Sequence, residues 1–600
     1  MSFEKADTKL MKNSDKSQVT YGRKDRPLNA PAFGAAWGRV LAMTLLALSA
    51  IPSFAGPKPA PSKFSPDLLS AVGPNGMVTV NIQYRTFPTK GYLKTRQTSG
   101  ATLHWQLPTI SAVTMTVPVS MLTILEKEAN VVYISPDRTQ KMSSNPVTEE
   151  FATAVEADVA ASQYGFDGTG IGVAIIDSGV AAHPDLNNAN GVSRVVYSQS
   201  FVAGDTTTSD KFGHGTHVAG LIGGNGTSSG AGNGYSATYT GVAPNVNIIS
   251  LRVLDQNGTG TDSQVIAAIQ AAIALKNTYN IRVINMSLGR PVFESYNLDP
   301  VDQAVEAAWQ AGIVVVAAAG NNGRYLPTNG FGTVVVPGND PSVITVGAAM
   351  TEQTPTRSDD QIASYSSKGP TTLDHICKPD ITAPGNRQVS LRVAGSTLDT
   401  TYPQYEIGPS SGTAMYYELS GTSMATPVVT GAVALMLQQN PALTPDQVKA
   451  RLMKTAWKGL GQFTYSHDSW GNLYNNEYDI FTYGAGYLNV DAALSSTDVA
   501  TGVALSPTAV LNANGTVTIT NTTPDSNFAG SSVVWGATSV VWGDSVVWGA
   551  NAISASSVVW GATSVVWGAT SVVGDSVVWG ATSNVATTTS ALSDGDPGDN

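Results

Sequence analysis

Three short segments hold the residue types that nucleophilic acyl transfer needs. Asp177 ends the apolar run 171–177 and is followed by Ser178 and Gly179. His214 lies in the stretch Gly213-His214-Gly215-Thr216-His217-Val218-Ala219-Gly220, which opens a Gly/Ala-rich helical pattern. Ser423 lies in Gly421-Thr422-Ser423-Met424-Ala425-Thr426-Pro427, at the head of a long apolar helical pattern. A serine hydroxyl attacks poorly until a neutral imidazole takes its proton, and that imidazole needs a carboxylate to hold its tautomer. Asp177 and Ser423 each have a plainer alternative as a helix cap. The three together, each at a strand end or a helix start, favour chemistry. The small neighbours Gly213, Gly215 and Gly421 let backbone and substrate approach closely.

The elements that must position these groups are legible between about 150 and 496. Apolar runs at 171–177, 247–254, 283–288, 313–319 and 343–348 predict strands buried on both faces. Helical patterns between them predict a parallel sheet flanked by helices, with functional groups collecting at the carboxyl ends of the strands. Upstream, strand-like segments at 77–84 and 109–119, a helical stretch after them and a strand at 131–135 predict a small α/β unit.

Asp, then His, then Ser in chain order, in these three settings, resembles the subtilisin-like serine peptidases, the subtilases. The resemblance covers roughly residues 65–495. It implies an α/β fold with a subtilisin-like parallel sheet, preceded by a small ferredoxin-like propeptide domain that templates folding and then blocks the cleft. It implies a serine endopeptidase with Asp177, His214 and Ser423 as the triad. Asn321, in Ala-Gly-Asn-Asn-Gly after a buried run, resembles the family's oxyanion donor, beside the N–H of Ser423 at a helix N-terminus; an ordinary turn is the alternative. Ser287, Leu288 and Gly289, with Gly258 and Gly260, match the two segments that sandwich an extended peptide in the family. His183 and His217 read as framework residues. Val428 stands where many members carry His. The loop between Gly323 and Pro337 is longer than in the type member and is expected to shape the first specificity pocket.

The totals exclude other classes. The chain has 600 residues, 42% hydrophobic and 13% charged, with a net charge of −11. An acidic surface repels phosphate backbones, so no nucleic-acid partner is expected. Cys377 is the single cysteine, which excludes an internal disulfide framework; its context favours a small buried residue over a nucleophile. No zinc motif exists. No organic cofactor is expected. Structural calcium is a candidate, with Asp185, Asp205 and Asp210 as ligands whose spacing nothing fixes.

The ends complete the organisation. A basic stretch, the apolar run 40–51 and a small-x-small signal ending at Ala55 read as a signal peptide, residues 1–55, and hence export; the run is too short to span a bilayer, which takes about 20 residues. Residues 56–148 read as the propeptide, with self-cleavage between about 138 and 155, and residues 149–496 as the peptidase unit. Residues 497–531 read as a linker. Residues 532–583 carry SVVWG repeats, whose Val-Val-Trp favours short strands. They are a candidate for cell-envelope association, an export tag or a low-complexity tail. Residues 584–600 read as disordered. The expected partners are protein or peptide substrates and the chain's own propeptide.

Overall fold

A computed structural model describes residues 63–141, 151–352, 354–460, 463–468, 472–511, 517–520, 540–542 and 546–548. The expected signal peptide and the tail beyond 583 lie outside these residues. Of the repeats, Val540–Trp542 and Val546–Trp548 are described, as two antiparallel strands.

The first unit has the connectivity β-α-β-β-α-β. Strands β1 (Met77–Tyr84), β2 (Thr102–Leu107), β3 (Ala112–Pro118) and β4 (Val131–Pro136) form one antiparallel sheet in the order β2-β3-β1-β4, a ferredoxin-like arrangement. Val80, Ile82, Met115 and Val117 meet Leu122 and Leu125 of the helix Val119–Glu126 in its core. The helix Lys90–Thr98 and strand β2 were not expected. The helix is polar and buries Leu93 alone, and β2 is a half-exposed edge strand, so neither shows a strong apolar period. A short strand, β5 (Thr139–Lys141), leaves this unit and pairs with the next one.

The large unit is built on an eight-stranded sheet. Parallel strands β6 (Gly172–Asp177), β7 (Val195–Ser200), β8 (Asn247–Arg252), β10 (Ile281–Met286), β11 (Val314–Ala318) and β12 (Ile344–Met350) lie in the order β12-β11-β10-β6-β8-β7. The short β9 (Thr259–Thr261) lies outside this sheet. β13 (Gln361–Ile362) and β14 (Ile381–Pro384) both pair with β12. The five expected strands are β6, β8, β10, β11 and β12. Their runs are fully or almost fully buried, which is why they read as continuous apolar segments. Between β8 and β10 the chain crosses from one side of β6 to the other. The carboxyl end of β6, where Asp177 stands, is therefore the switch point of the sheet.

Two helix pairs cover this sheet. Asp262–Tyr279 and Pro300–Gln310 pack on each other, the first also on β6, β8 and β10. His214–Gly223 and Thr422–Gln439 pack on each other, the second also on β10, β11, β12 and β14. The latter is buried from Thr422 to Leu437. A helix apolar on every side belongs inside a core rather than on a surface. No helix among the described residues is long and apolar enough to cross a membrane.

The expected end of the peptidase unit at Ser496 falls short. Residues 497–511 are not a linker but part of the packed unit. Ser506 N–H donates to the Pro341 carbonyl at 2.9 Å, Cys377 N–H to the Pro507 carbonyl at 2.8 Å, and Ala509 N–H to the His375 carbonyl at 2.8 Å. The Ser506 hydroxyl lies between two buried charges, accepting from Lys449 Nζ at 2.8 Å and donating to Asp380 at 2.5 Å. These bonds are made by a non-repetitive segment of mixed polarity, which carries no periodic signal.

Candidate active site

Asp177 leaves β6 buried and turned toward the helix that starts at His214. Its carboxylate faces His214 Nδ1 at 3.0 and 3.1 Å, and both side chains are fully buried. Ser178 N–H donates to Asp177 Oδ1 at 2.6 Å, which fixes the carboxylate plane. With Nδ1 facing a carboxylate, the imidazole carries its proton there and Nε2 is the basic nitrogen. Nε2 is buried and has no hydrogen-bond partner among the described residues.

The helix that carries His214 is held by Asp210. This buried carboxylate accepts from Gly213 N–H at 2.7 Å, Thr216 N–H at 2.9 Å, the Thr216 hydroxyl at 2.7 Å and the Ser178 hydroxyl at 2.8 Å. Burial pushes the Asp210 carboxyl above its usual range despite these donors. Ser178 in turn accepts from Gly215 N–H at 2.9 Å, so one network fixes the end of β6 and the first turn of the His214 helix together. His217 faces away into the core, where its Nε2 meets the Gln388 and Tyr417 carbonyls at 3.1 and 3.0 Å. Burial, and after it the neighbouring His214, drive its pKa down to about 3, so it is neutral. His183 is likewise a buried framework residue, bonded to the Asp185 N–H and the Met415 carbonyl.

Ser423 occupies the first turn of Thr422–Gln439, where backbone N–H groups have no partner inside the helix. Its hydroxyl donates to the Ser287 carbonyl at 3.0 Å, and the Ser287 hydroxyl donates to the Ser423 carbonyl at 2.8 Å. The second bond has a cause in the sequence. Pro427 stands four residues on and has no N–H, so the Ser423 carbonyl lacks its helical donor. Ser287 supplies that donor from the segment that follows β10. The nucleophile candidate and the peptide-binding candidate are thus locked to each other.

Asn321 lies beyond the end of β11. Its Oδ1 accepts from the Thr422 N–H at 2.9 Å and the Thr422 hydroxyl at 2.8 Å, which turns its NH2 end away from Thr422. Thr422 Oγ1 also accepts from the Gly320 N–H at 3.1 Å. Thr422 was not singled out from the sequence, although it stands beside Ser423 in the motif.

The second candidate peptide-binding segment is already paired. β9 contains Gly260 and lies antiparallel to β5, with Gln140 opposite Gly260, Lys141 opposite Thr259 and Thr139 opposite Thr261. A Cβ at Gly260 would come within 2.4 Å of the Val253 carbonyl, so no other residue fits there. Gly258 has φ +71° and packs on the Phe212 ring. Leu288 is buried, and Gly289 abuts Val335. Asp262, which follows β9, pairs with Arg290, which follows Gly289, at 2.9 Å; this ties the two segments together at one end.

More than a strand joins β5's unit to the large one. Asp137 accepts from the Ser263 N–H at 2.7 Å and its hydroxyl at 2.5 Å, at the N-terminus of Asp262–Tyr279. Arg138 is forked onto Glu294 and also binds Asp67 at 2.9 Å. Gln83 Nε2 donates to the Leu298 carbonyl at 2.7 Å. Burial first, then nearby Asp262, raise the Asp137 carboxyl to about 6. Burial first, then Asp299, raise Glu294 to about 7.

The three acids expected as candidate calcium ligands do not share a site. Asp210 is bound as above. Asp185 accepts from the Ser228 N–H at 2.8 Å and the Tyr416 hydroxyl at 2.5 Å. Asp205 pairs with Lys211 at 2.7 Å and Arg252 at 2.9 Å. Among the described residues no three His, Cys, Asp or Glu side chains group as metal ligands. Cys377 is free and buried, and burial raises its thiol far above the usual range, so it is not a nucleophile.

Known proteins resemble this chain in sequence and fold. The model of the Subtilase family, peptidase S8, matches residues 168–522. The serine protease AprX of Bacillus subtilis (strain 168) is 35% identical over 379 residues, covering 62% of this chain and 76% of the relative. Subtilisin E of the same organism is 34% identical over 402 residues, covering 66% and 83%. In fold, the chain is similar to fervidolysin from Fervidobacterium pennivorans, described as a keratinolytic enzyme related to subtilisin, with TM-score 0.52 and 23% identity over 73% of this chain and 64% of that one.

Proposed function

Since the chain belongs to the subtilase family and is a subtilisin-like serine endopeptidase, we propose that Asp177, His214 and Ser423 are its catalytic triad and Asn321 its oxyanion donor. The observation that carries this reading is the buried Asp177 carboxylate on His214 Nδ1 at 3.0 Å. It leaves Nε2 as the base. A bound peptide draws the Ser423 hydroxyl from the Ser287 carbonyl onto Nε2; catalytic hydrogen bonds commonly tighten only with substrate. Ser423 Oγ then attacks the peptide carbonyl, His214 takes the proton and Asp177 stabilises the imidazolium. The negative charge on the carbonyl oxygen is met by the Asn321 amide and the Ser423 N–H. His214 returns the proton to the leaving amine, and water repeats the sequence to free the acyl group. No organic cofactor takes part.

Residues 56–148 act as an inhibitory propeptide in this reading. β5 pairs with β9 in the antiparallel manner of an extended peptide. Substrates take the same edge through backbone bonds, with Gly258 and Gly260 on one side and Ser287, Leu288 and Gly289 on the other. Export of the chain follows from the signal-like residues 1–55, and the repeats at 532–583 serve association with the cell envelope; both segments lie wholly or mostly outside the described residues.

The test is covalent. A serine-directed organophosphorus reagent applied to the purified mature chain labels Ser423 and abolishes hydrolysis, and His214→Ala prevents the labelling. Labelling elsewhere, with Ser423 untouched, refutes the assignment.

A further inference from the structure

One cation of the small unit is buried against the peptidase. Arg138 directly precedes β5, and the Asp262 N–H donates to its carbonyl at 2.8 Å. The backbone contact of β5 with β9 therefore runs one residue further along each strand. Arg138 is 7% exposed. Its guanidinium is forked onto the Glu294 carboxylate, stands 4.0 Å from Asp262 and lies over the Phe293 ring, 5.1 Å from its centre. A second fork, at 2.9 Å, joins it to Asp67 of its own unit.

The peptidase half of this contact is acidic, and it stays behind when the small unit leaves. Asp67 goes with Arg138, whereas Asp262, Phe293 and Glu294 belong to the peptidase. Arg290 does not neutralise Glu294, because its guanidinium is taken by Asp262 at 2.9 Å and Asp299 at 2.6 Å. Among the described residues Arg138 is the one cation in an ion pair with Glu294. With the small unit in place Glu294 is 3% exposed. A carboxylate held that far from water is costly to leave without a cation, so the departure of Arg138 leaves a seat that favours another.

An extended peptide lying on β9 in the register of β5 puts one residue where Arg138 stands, two before the residue opposite Gly260. We infer that Glu294, with Asp262 and Phe293, forms a socket for a guanidinium and makes the mature enzyme favour peptides with arginine at that one place. The inference rests on the proposed use of the β9 edge by substrates. The chemistry of the socket selects between the two long cations. A carboxylate that accepts a planar fork, with a ring face beside it, suits arginine, whereas lysine brings a point charge that cannot fork.

An arginine scan decides it. Mature enzyme is assayed at pH 8, above the value of about 7 to which burial raises Glu294. The substrates are peptides cut at a single bond, with one arginine moved position by position through the stretch before that bond and alanine as the reference. At one position arginine raises kcat/KM by about tenfold or more, the worth of a charge-assisted fork, and lysine raises it less. Glu294→Gln brings arginine at that position back to the alanine level. Arginine no better than alanine throughout overturns the inference, as does a preference that Glu294→Gln leaves intact. An equal gain at every position, the mark of general attraction to an acidic chain, overturns it too. Should Glu294→Gln not fold, the wild-type scan decides alone, a single peak supporting the socket and a flat profile refuting it. Failure of the underlying readings looks different. The catalytic assignment fails by an absence of organophosphorus label at Ser423. The edge reading fails if N-methylation along the same stretch costs nothing, whereas pairing with β9 makes it costly at alternate positions.

Discussion

Asp137→Asn isolates one titrating group at the junction between the small unit and the peptidase. In the joined structure the Asp137 carboxyl stands at about 6, against an ordinary value of 3.8, because contact with the Asp262–Tyr279 helix buries it beside Asp262. Once the units part, water restores the ordinary value. The joined form therefore holds a proton that the separated form gives up. This contribution is fully present below about pH 4 and is lost as pH rises through 6. A difference of about two pK units is worth about 3 kcal/mol, or on the order of a hundredfold in affinity. Asn cannot ionise but keeps the oxygen that accepts from the Ser263 N–H. The assay is calorimetric titration of mature Ser423→Ala peptidase with polypeptide 63–141, wild-type or Asp137→Asn, from pH 4 to pH 7. The ratio of the two dissociation constants changes by about a hundredfold over that range, the wild-type polypeptide weakening as pH rises. Glu294 and the other charges affect both polypeptides alike and cancel in the ratio. A ratio independent of pH refutes the assigned role of Asp137.

Other outcomes follow from the same geometry. Asn321→Ala lowers kcat by about a hundredfold or more with KM little changed, the magnitude seen for the corresponding donor in subtilisin; steady-state kinetics on a small peptide checks it. Ser423→Ala leaves the chain uncut when purified away from other proteases, and a denaturing gel reads this directly. Ser506→Ala removes the hydroxyl between Lys449 and Asp380 and destabilises the peptidase by about 1–3 kcal/mol, seen in denaturant unfolding. A chain ending at Ser496 loses more than that point variant, whereas one ending at Thr520 keeps its stability and activity; equal stability of the two truncations would falsify the assignment of residues 497–511 to the packed unit.

The sequence was most legible where the chemistry or the core left no choice. The five central strands are buried on both faces and announced themselves as apolar runs. The Asp, His and Ser settings marked the sheet end at which Asp177 faces His214. Less was visible where one element depends on another far along the chain. β7 lies at the edge of the sheet with half-exposed alternation, and β13 spans only two residues. Asp210 reads in the sequence as a candidate calcium ligand, because the backbone N–H groups it binds have no side-chain signature. Residues 497–511 read as a linker in the sequence because single hydrogen bonds to Lys449, Cys377 and His375 leave no periodic trace. Gly258 and Gly260 mark a candidate peptide-binding segment in the sequence, yet nothing in their own neighbourhood foretells that β5, more than a hundred residues upstream, pairs with it.

The pairing of β5 with β9 also bears on how the protein survives its own production. Folded proteins normally blunt an open strand edge with a charge, a proline or a bulge, because an open edge recruits other chains and seeds aggregates. If β9 grips extended peptides, as proposed, it has no such remedy, since any device that repelled a stray strand would repel substrate too. The covalently attached β5 keeps that edge occupied from the moment the sheet forms. Under the proposed propeptide role, its departure opens the cleft and at once bares a surface prone to misassembly, so the uncut chain is then the form that tolerates crowding and storage.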